Sequence, residues 1–146
     1  MRALTFALAL AAVGAGLARP LAAQERDYVV VVNAANPVAG LSGEEISKLF
    51  LKKTTRWANG DDAVPVDLPE VAAPRTAFSR DVFHKSVEAI KAYWQSLLFS
   101  GRGVPPVELG SDDAVLAYVR ANPGAIGYVS ARAALGAGVR RLPVTN

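Results

Sequence analysis

The sequence predicts an α/β domain with a mixed or mostly parallel sheet flanked by helices. Three observations carry that reading. Tyr28 to Val32 and Ala125 to Val129 are continuous apolar runs, as in strands buried on both faces. Amphipathic stretches with polar caps begin after Ser42, Ser86 and Ser111. The two kinds of segment alternate along the chain, the pattern of layered α/β architecture. The 146 residues include no Cys, so no disulfide supports the fold.

The first residues have the three parts of an export leader: Arg2 as a positive start, Leu4 to Leu17 as an apolar middle, and Ala22 and Ala23 as small residues for cleavage. Gly14, Gly16, Arg19 and Pro20 interrupt the apolar stretch. It is also shorter than the roughly 20 residues of a spanning helix. Residues 1–23 are therefore read as a cleaved secretory signal peptide delivering the chain to the periplasm, and residues 24–146 as the domain. The cut is expected after Ala23 or Gln24. The roughly 120 residues that remain suffice for one domain burying about two thirds of its unfolded surface, with no room expected for a second. Of the 16 Lys and Arg, Arg2 and Arg19 fall in the leader, while all 13 Asp and Glu lie beyond it. The mature part thus carries 14 cations against 13 anions, a net +1, which argues against a nucleic-acid partner.

Tyr28 to Asn33 reads as a central strand closed by the turn Asn33-Ala-Ala-Asn-Pro37. Ser42 and Glu45 form a capping box, and Ile46, Leu49 and Phe50 share the face of the helix behind it, which should end near Leu51. Lys52, Lys53 and Arg56 suit the negative end of that helix. Asn59-Gly60-Asp61 is a turn signal. Ala63 to Leu68 reads as a strand near a sheet edge, because Pro65 cannot donate to a ladder. Pro74 suits a first helical turn, with Phe78, Val82 and Phe83 at helical spacing behind it. From Ser86 the positions Val87, Ile90, Tyr93, Trp94, Leu97 and Leu98 form a wide apolar stripe, whose default role is core packing. Ser111, with Asp112 and Asp113, starts a helix carrying Val115, Leu116 and Val119. Asn122-Pro123-Gly124 ends it. In the next strand Gly127 marks a close backbone approach. A short helical piece over Ala131 to Leu135 and a last strand from Val139 to Val144 complete the expectation.

Little in this inventory supports catalysis. His84, the sole His, has no Gly-x-Ser-x-Gly elbow or other nucleophile signal beside it. With no Cys and one His, a metal site would rest on carboxylates, and Asp61-Asp62 and Asp112-Asp113 read as a turn and a helix start. No phosphate-cradling glycine loop is present. The chain is read as a non-enzyme without catalytic residues, metal or cofactor. What remains is the helix start at Ala73-Pro74-Arg75-Thr76. Helix N-termini attract anions through free N–H groups and the dipole, and here Arg75 and Thr76 add a guanidinium and a hydroxyl. Arg75 and Thr76 are the candidate ligand-binding residues; the plainer reading leaves Arg75 solvated and Thr76 an ordinary first-turn residue.

Three segments carry a resemblance: Tyr28 to Pro37 (YVVVVNAANP), Leu49-Phe50-Leu51-Lys52-Lys53 with Arg56-Trp57, and Asn122 to Val129 (NPGAIGYV). They are similar to segments of the phosphate-type periplasmic substrate-binding proteins of ABC transporters. The resemblance implies a single periplasmic-binding-protein-like lobe that binds phosphate or a similar small oxyanion. It further implies an ABC transporter permease or another envelope protein as partner, and a homodimer as one way to rebuild a cleft. Two departures weaken ligand capture. Members of the family clamp phosphate between two lobes, and no lobe is expected before Tyr28. The family's Arg and Asp-Gly-Ser-Gly-Thr loop is replaced by Val66 to Thr76, where only Thr76 survives by type and where Asp67 and Glu70 would repel a dianion. The expected function is weak oxyanion binding in phosphate transport. The alternative is an envelope interaction or sensory module that has lost its ligand.

Overall fold

Residues 25–146 are described by a computed structural model. The expected signal peptide and its cleavage site lie outside the described residues. Strand β1 (Tyr28–Asn33) is buried along its whole length, as its β-branched run requires. It pairs antiparallel with β5 (Ala125–Ser130), from Tyr28 opposite Ser130 to Val32 opposite Ile126, and with β6 (Val139–Arg141) on its other side. Strand β3 (Val64–Asp67) runs parallel to β5 and to the two-residue β4 (Val107–Glu108). The sheet order is β4-β3-β5-β1-β6. Four strands therefore share one direction and β1 opposes them, a mixed but mostly parallel sheet of the expected class.

The N-terminal caps form as read. Ser42 and Glu45 make the reciprocal capping box of α1 (Gly43–Phe50), and Ser86 and Ser111 accept from the N3 amides of α3 (Val87–Phe99) and α4 (Asp112–Ala121). Asn33 closes α4 at its other end, donating from Nδ2 to the carbonyls of Val119 and Arg120 at 2.9 and 3.0 Å. These would otherwise be orphan acceptors beside the core. Gly127 is needed where predicted: a Cβ there would stand 2.8 Å from Val115 Cγ1. The core runs from Tyr28 to Leu142, so the described residues contain their own hydrophobic interior.

Several local expectations are corrected. The segment Ala131 to Leu135 is a turn followed by irregular chain, not a helix. Its carbonyls serve Arg120, whose Nε–H donates to Ala137 O at 2.7 Å and Nη2–H to Leu135 O at 3.2 Å. Gly136 and Gly138 then adopt positive φ, which ends any helical run. The last strand splits at Leu142-Pro143 into β6 and β7 (Val144–Thr145), and β7 pairs with β2 (Leu41–Ser42) in a separate two-stranded sheet. Strand β3 does lie near the sheet edge, second from it. Val64 donates toward β5 through Gly124 O, so the missing N–H of Pro65 falls on the other side, where β4 pairs only from Val66 onward. The helix after Pro74 is α2 (Ala73–Phe78), continued by one π-helical turn (Ser79–Phe83) and stopped by His84 at φ 54°. Trp94 is buried mid-stripe as expected, but the stripe outruns the core, and Leu98 at the end of α3 is 48% exposed.

Candidate functional site

In open α/β sheets, ligands sit beyond the carboxyl ends of the strands. At that edge β3 ends on Asp67, and Leu68 to Ala72 lead into α2. The residue pattern there is polar at the strand end and apolar immediately around it, so the polar groups must satisfy one another. Asp67 Oδ2 lies 2.7 Å from Arg75 Nη1, and the same nitrogen donates to Leu68 O at 2.7 Å. The other carboxylate oxygen, Oδ1, accepts from the Leu68 N–H at 3.0 Å and from the Tyr128 hydroxyl. Asp67 and Arg75 are each only 6% exposed. The Nε–H of Arg75 is buried without a partner.

Burial pushes the Asp67 carboxyl above the usual carboxylate range, while the Arg75 charge and the Tyr128 hydrogen bond act in the opposite sense. Burial and the Asp67 charge likewise push Tyr128 upward, so its hydroxyl remains a donor.

The two candidate ligand residues do not converge. Successive helical residues point about 100° apart, and here Arg75 turns inward while Thr76 is exposed. The start of α2 has no side-chain cap. The amides of Arg75 and Thr76 both donate to Ala72 O, at 3.0 and 3.2 Å, and Pro74 has no N–H. Ala73 therefore offers the one main-chain donor among the first three residues of α2. Asp67, read from sequence as a repelling charge, is the group that holds Arg75. Tyr128 was legible only as a core aromatic, because nothing within its strand tells which side chain lies across the sheet.

A separate cleft of about 1320 Å³ lies beside the start of β1 and is lined by Arg26, Arg80, Arg132 and Arg141 together with Asp27 and Asp81. Neither Arg75 nor Thr76 borders it, and of its arginines Arg80 pairs with Asp81 at 2.8 Å. Among the described residues no group of three His, Cys, Asp or Glu side chains could hold a metal ion. No described helix is long and apolar enough to cross a membrane.

No family model and no curated protein matches the chain. Solved structures do. One from Clostridium perfringens, assigned as a phosphate ABC transporter substrate-binding protein and holding bound phosphate, superposes with a TM-score of 0.64 at 20% identity over 81% of this chain and 44% of its own. An ABC-type phosphate transport receptor from Vibrio cholerae gives 0.62 at 18%, over 80% and 45%. PstS from Borrelia burgdorferi gives 0.56 at 12%, over 82% and 47%. The chain spans less than half the length of these structures, and the likeness is one of fold.

Proposed function

We propose that this chain, with the fold of a single lobe of the phosphate-type substrate-binding proteins, is an exported solute-binding lobe that takes phosphate or a similar small oxyanion weakly at the start of α2. The observation that carries the reading is the buried Arg75, whose Nε–H has no partner. A guanidinium has five donors suited to paired bonds with two oxygens of an oxyanion, and Asp67 and Leu68 engage only Nη1. In this reading the Ala73 N–H is the main-chain donor, and Thr76, which faces solvent and not Arg75, contributes a water-bridged contact. Three features keep the affinity low: Asp67 neutralises Arg75, the helix start offers few amides, and the free Nε–H is itself buried. An affinity no tighter than about millimolar, roughly −4 kcal/mol, is expected.

Calorimetric titration of the exported form with phosphate, sulfate and molybdate tests this. Thr76→Val should weaken binding without loss of stability. Asp67→Asn should bind more tightly and gain more in melting temperature from added phosphate, because the anion replaces the lost counter-charge. Micromolar binding indifferent to both substitutions would place the site elsewhere. No binding at all would favour the second reading, an envelope protein-interaction or sensory module that has lost ligand capture.

Export is part of the proposal. Intact-mass measurement on periplasmic extract should find a mature N-terminus between Ala22 and Glu25; a species retaining Met1 to Leu17 would contradict it.

A further inference from the structure

We propose that the C-terminal end of α3, together with the end of α1, docks the protein onto an anionic membrane surface. Phe99 is 92% exposed and follows the 48% exposed Leu98 in the chain, and Val104, 60% exposed, comes just after the turn that ends the helix. Single exposed apolar residues are ordinary, but a cluster carrying an almost bare aromatic ring is not. The cluster is built rather than frayed. After Phe99 the chain folds back, with Gly101 N donating to Leu98 O at 3.1 Å and Arg102 N to Leu97 O at 2.9 Å. Ser100 Oγ bonds back to Ser96 O at 3.0 Å and accepts from Arg102 Nε at 3.0 Å. A Cβ at Gly103 would lie 3.7 Å from both Leu97 and Trp94, which keeps Val104 close to the helix.

Positive charge lies toward this end of α3. Lys52 donates to Pro105 O at 3.4 Å, and Tyr93 OH donates to Leu51 O at 3.3 Å, so the end of α1 brings Lys52 and the exposed Lys53 to the same end of α3 as Arg102. Between Glu88 and Glu108 the sequence contains no acidic residue. Lys91, the remaining cation of that stretch, pairs with Glu70. Neither of the two clefts borders the cluster. A partner helix or peptide would need a groove. A protruding Phe and Leu with Lys and Arg toward the same helix end instead fits a bilayer, the apolar side chains entering the acyl boundary and the cations meeting anionic headgroups. This surface is separate from the oxyanion site and does not depend on it.

The test uses the exported form, which lacks the apolar leader and retains the whole core. Its sedimentation is measured with vesicles of phosphatidylglycerol and phosphatidylcholine and with vesicles of phosphatidylcholine alone. Binding to the anionic vesicles that weakens with salt is expected. Phe99→Ser should lower it about tenfold or more, and Lys53→Gln and Arg102→Gln about fivefold each, with melting temperature and calorimetric phosphate titration unchanged. Three results would overturn the proposal: no binding to anionic vesicles, binding indifferent to Phe99→Ser, or a dimer by sedimentation velocity that Phe99→Ser dissociates. The last would assign the surface to a second copy of this chain.

Discussion

Phe78→Ala should cost about 4–5 kcal/mol, at the upper end of aromatic truncations and a large share of the roughly 5–15 kcal/mol expected for such a domain. Phe78 is fully buried, and its ring joins elements that are distant in sequence. It stacks on Tyr128 of β5 with centroids 3.9 Å apart and planes 6° from parallel. It meets Tyr28 of β1 and Phe83 of the π-helical turn edge-on, both at 5.4 Å, and Phe50 of α1 at 4.8 Å. Truncation removes four aromatic contacts and leaves a cavity walled by rigid rings, which cannot collapse to fill it. Tyr128→Phe keeps the stack and loses only the hydroxyl bond to Asp67, so about 1–2 kcal/mol is expected. Denaturant midpoints with unchanged m-values check both. Equal losses at the two positions would show that the hydroxyl, not the ring cluster, dominates.

Asp67→Asn should cost about 3 kcal/mol, because it leaves the buried Arg75 guanidinium without counter-charge and arginine cannot shed its proton to escape. Arg75→Met leaves a carboxyl that can protonate, so its cost depends on pH. Burial already holds the Asp67 carboxyl above the usual range. The native state therefore binds this proton more tightly than the unfolded chain. The stability tied to the group is complete below the ordinary carboxylate range and declines as pH rises toward the raised value. Removing Arg75, which acts to lower that value, raises it further. The deficit of Arg75→Met should thus be small in acid and grow toward neutral pH, whereas that of Asp67→Asn should shrink over the same range, since only the wild type then loses this carboxyl's stability. The double variant should recover most of the single losses, since replacing both members of a buried pair is often close to neutral. Strictly additive losses in the double variant would mean the pair is not coupled.

The same pair defines what the candidate site can do. An arginine already neutralised by an aspartate attracts a dianion less than a bare one, and this is the physical reason for weak affinity in the proposed function. The aromatic cluster and the ion pair also share Tyr128, whose ring stacks on Phe78 and whose hydroxyl serves Asp67. Loss of the stack should therefore loosen the site as well as the core.

Local chemistry sufficed for much of the architecture. The caps at Ser42, Ser86 and Ser111, the buried β1 and β5 runs, the close approach at Gly127 and the α/β class are each set by residues within a few positions of one another, where propensity and spacing are decisive. The two-residue strands β2 and β4 were not legible, because so short a segment has no periodicity. The split between β6 and β7 was decided by which neighbouring strand offered a partner. The site divides in the same way. That a helix begins near Pro74 follows from the sequence. Whether Arg75 faces solvent or core depended on Asp67 and Tyr128, the latter more than fifty residues further along, and only the folding of β5 against β3 brings its hydroxyl to the carboxylate. Burial turns that meeting into a paired, desolvated cluster, and burial is a property of the assembled layers, not of any segment within them.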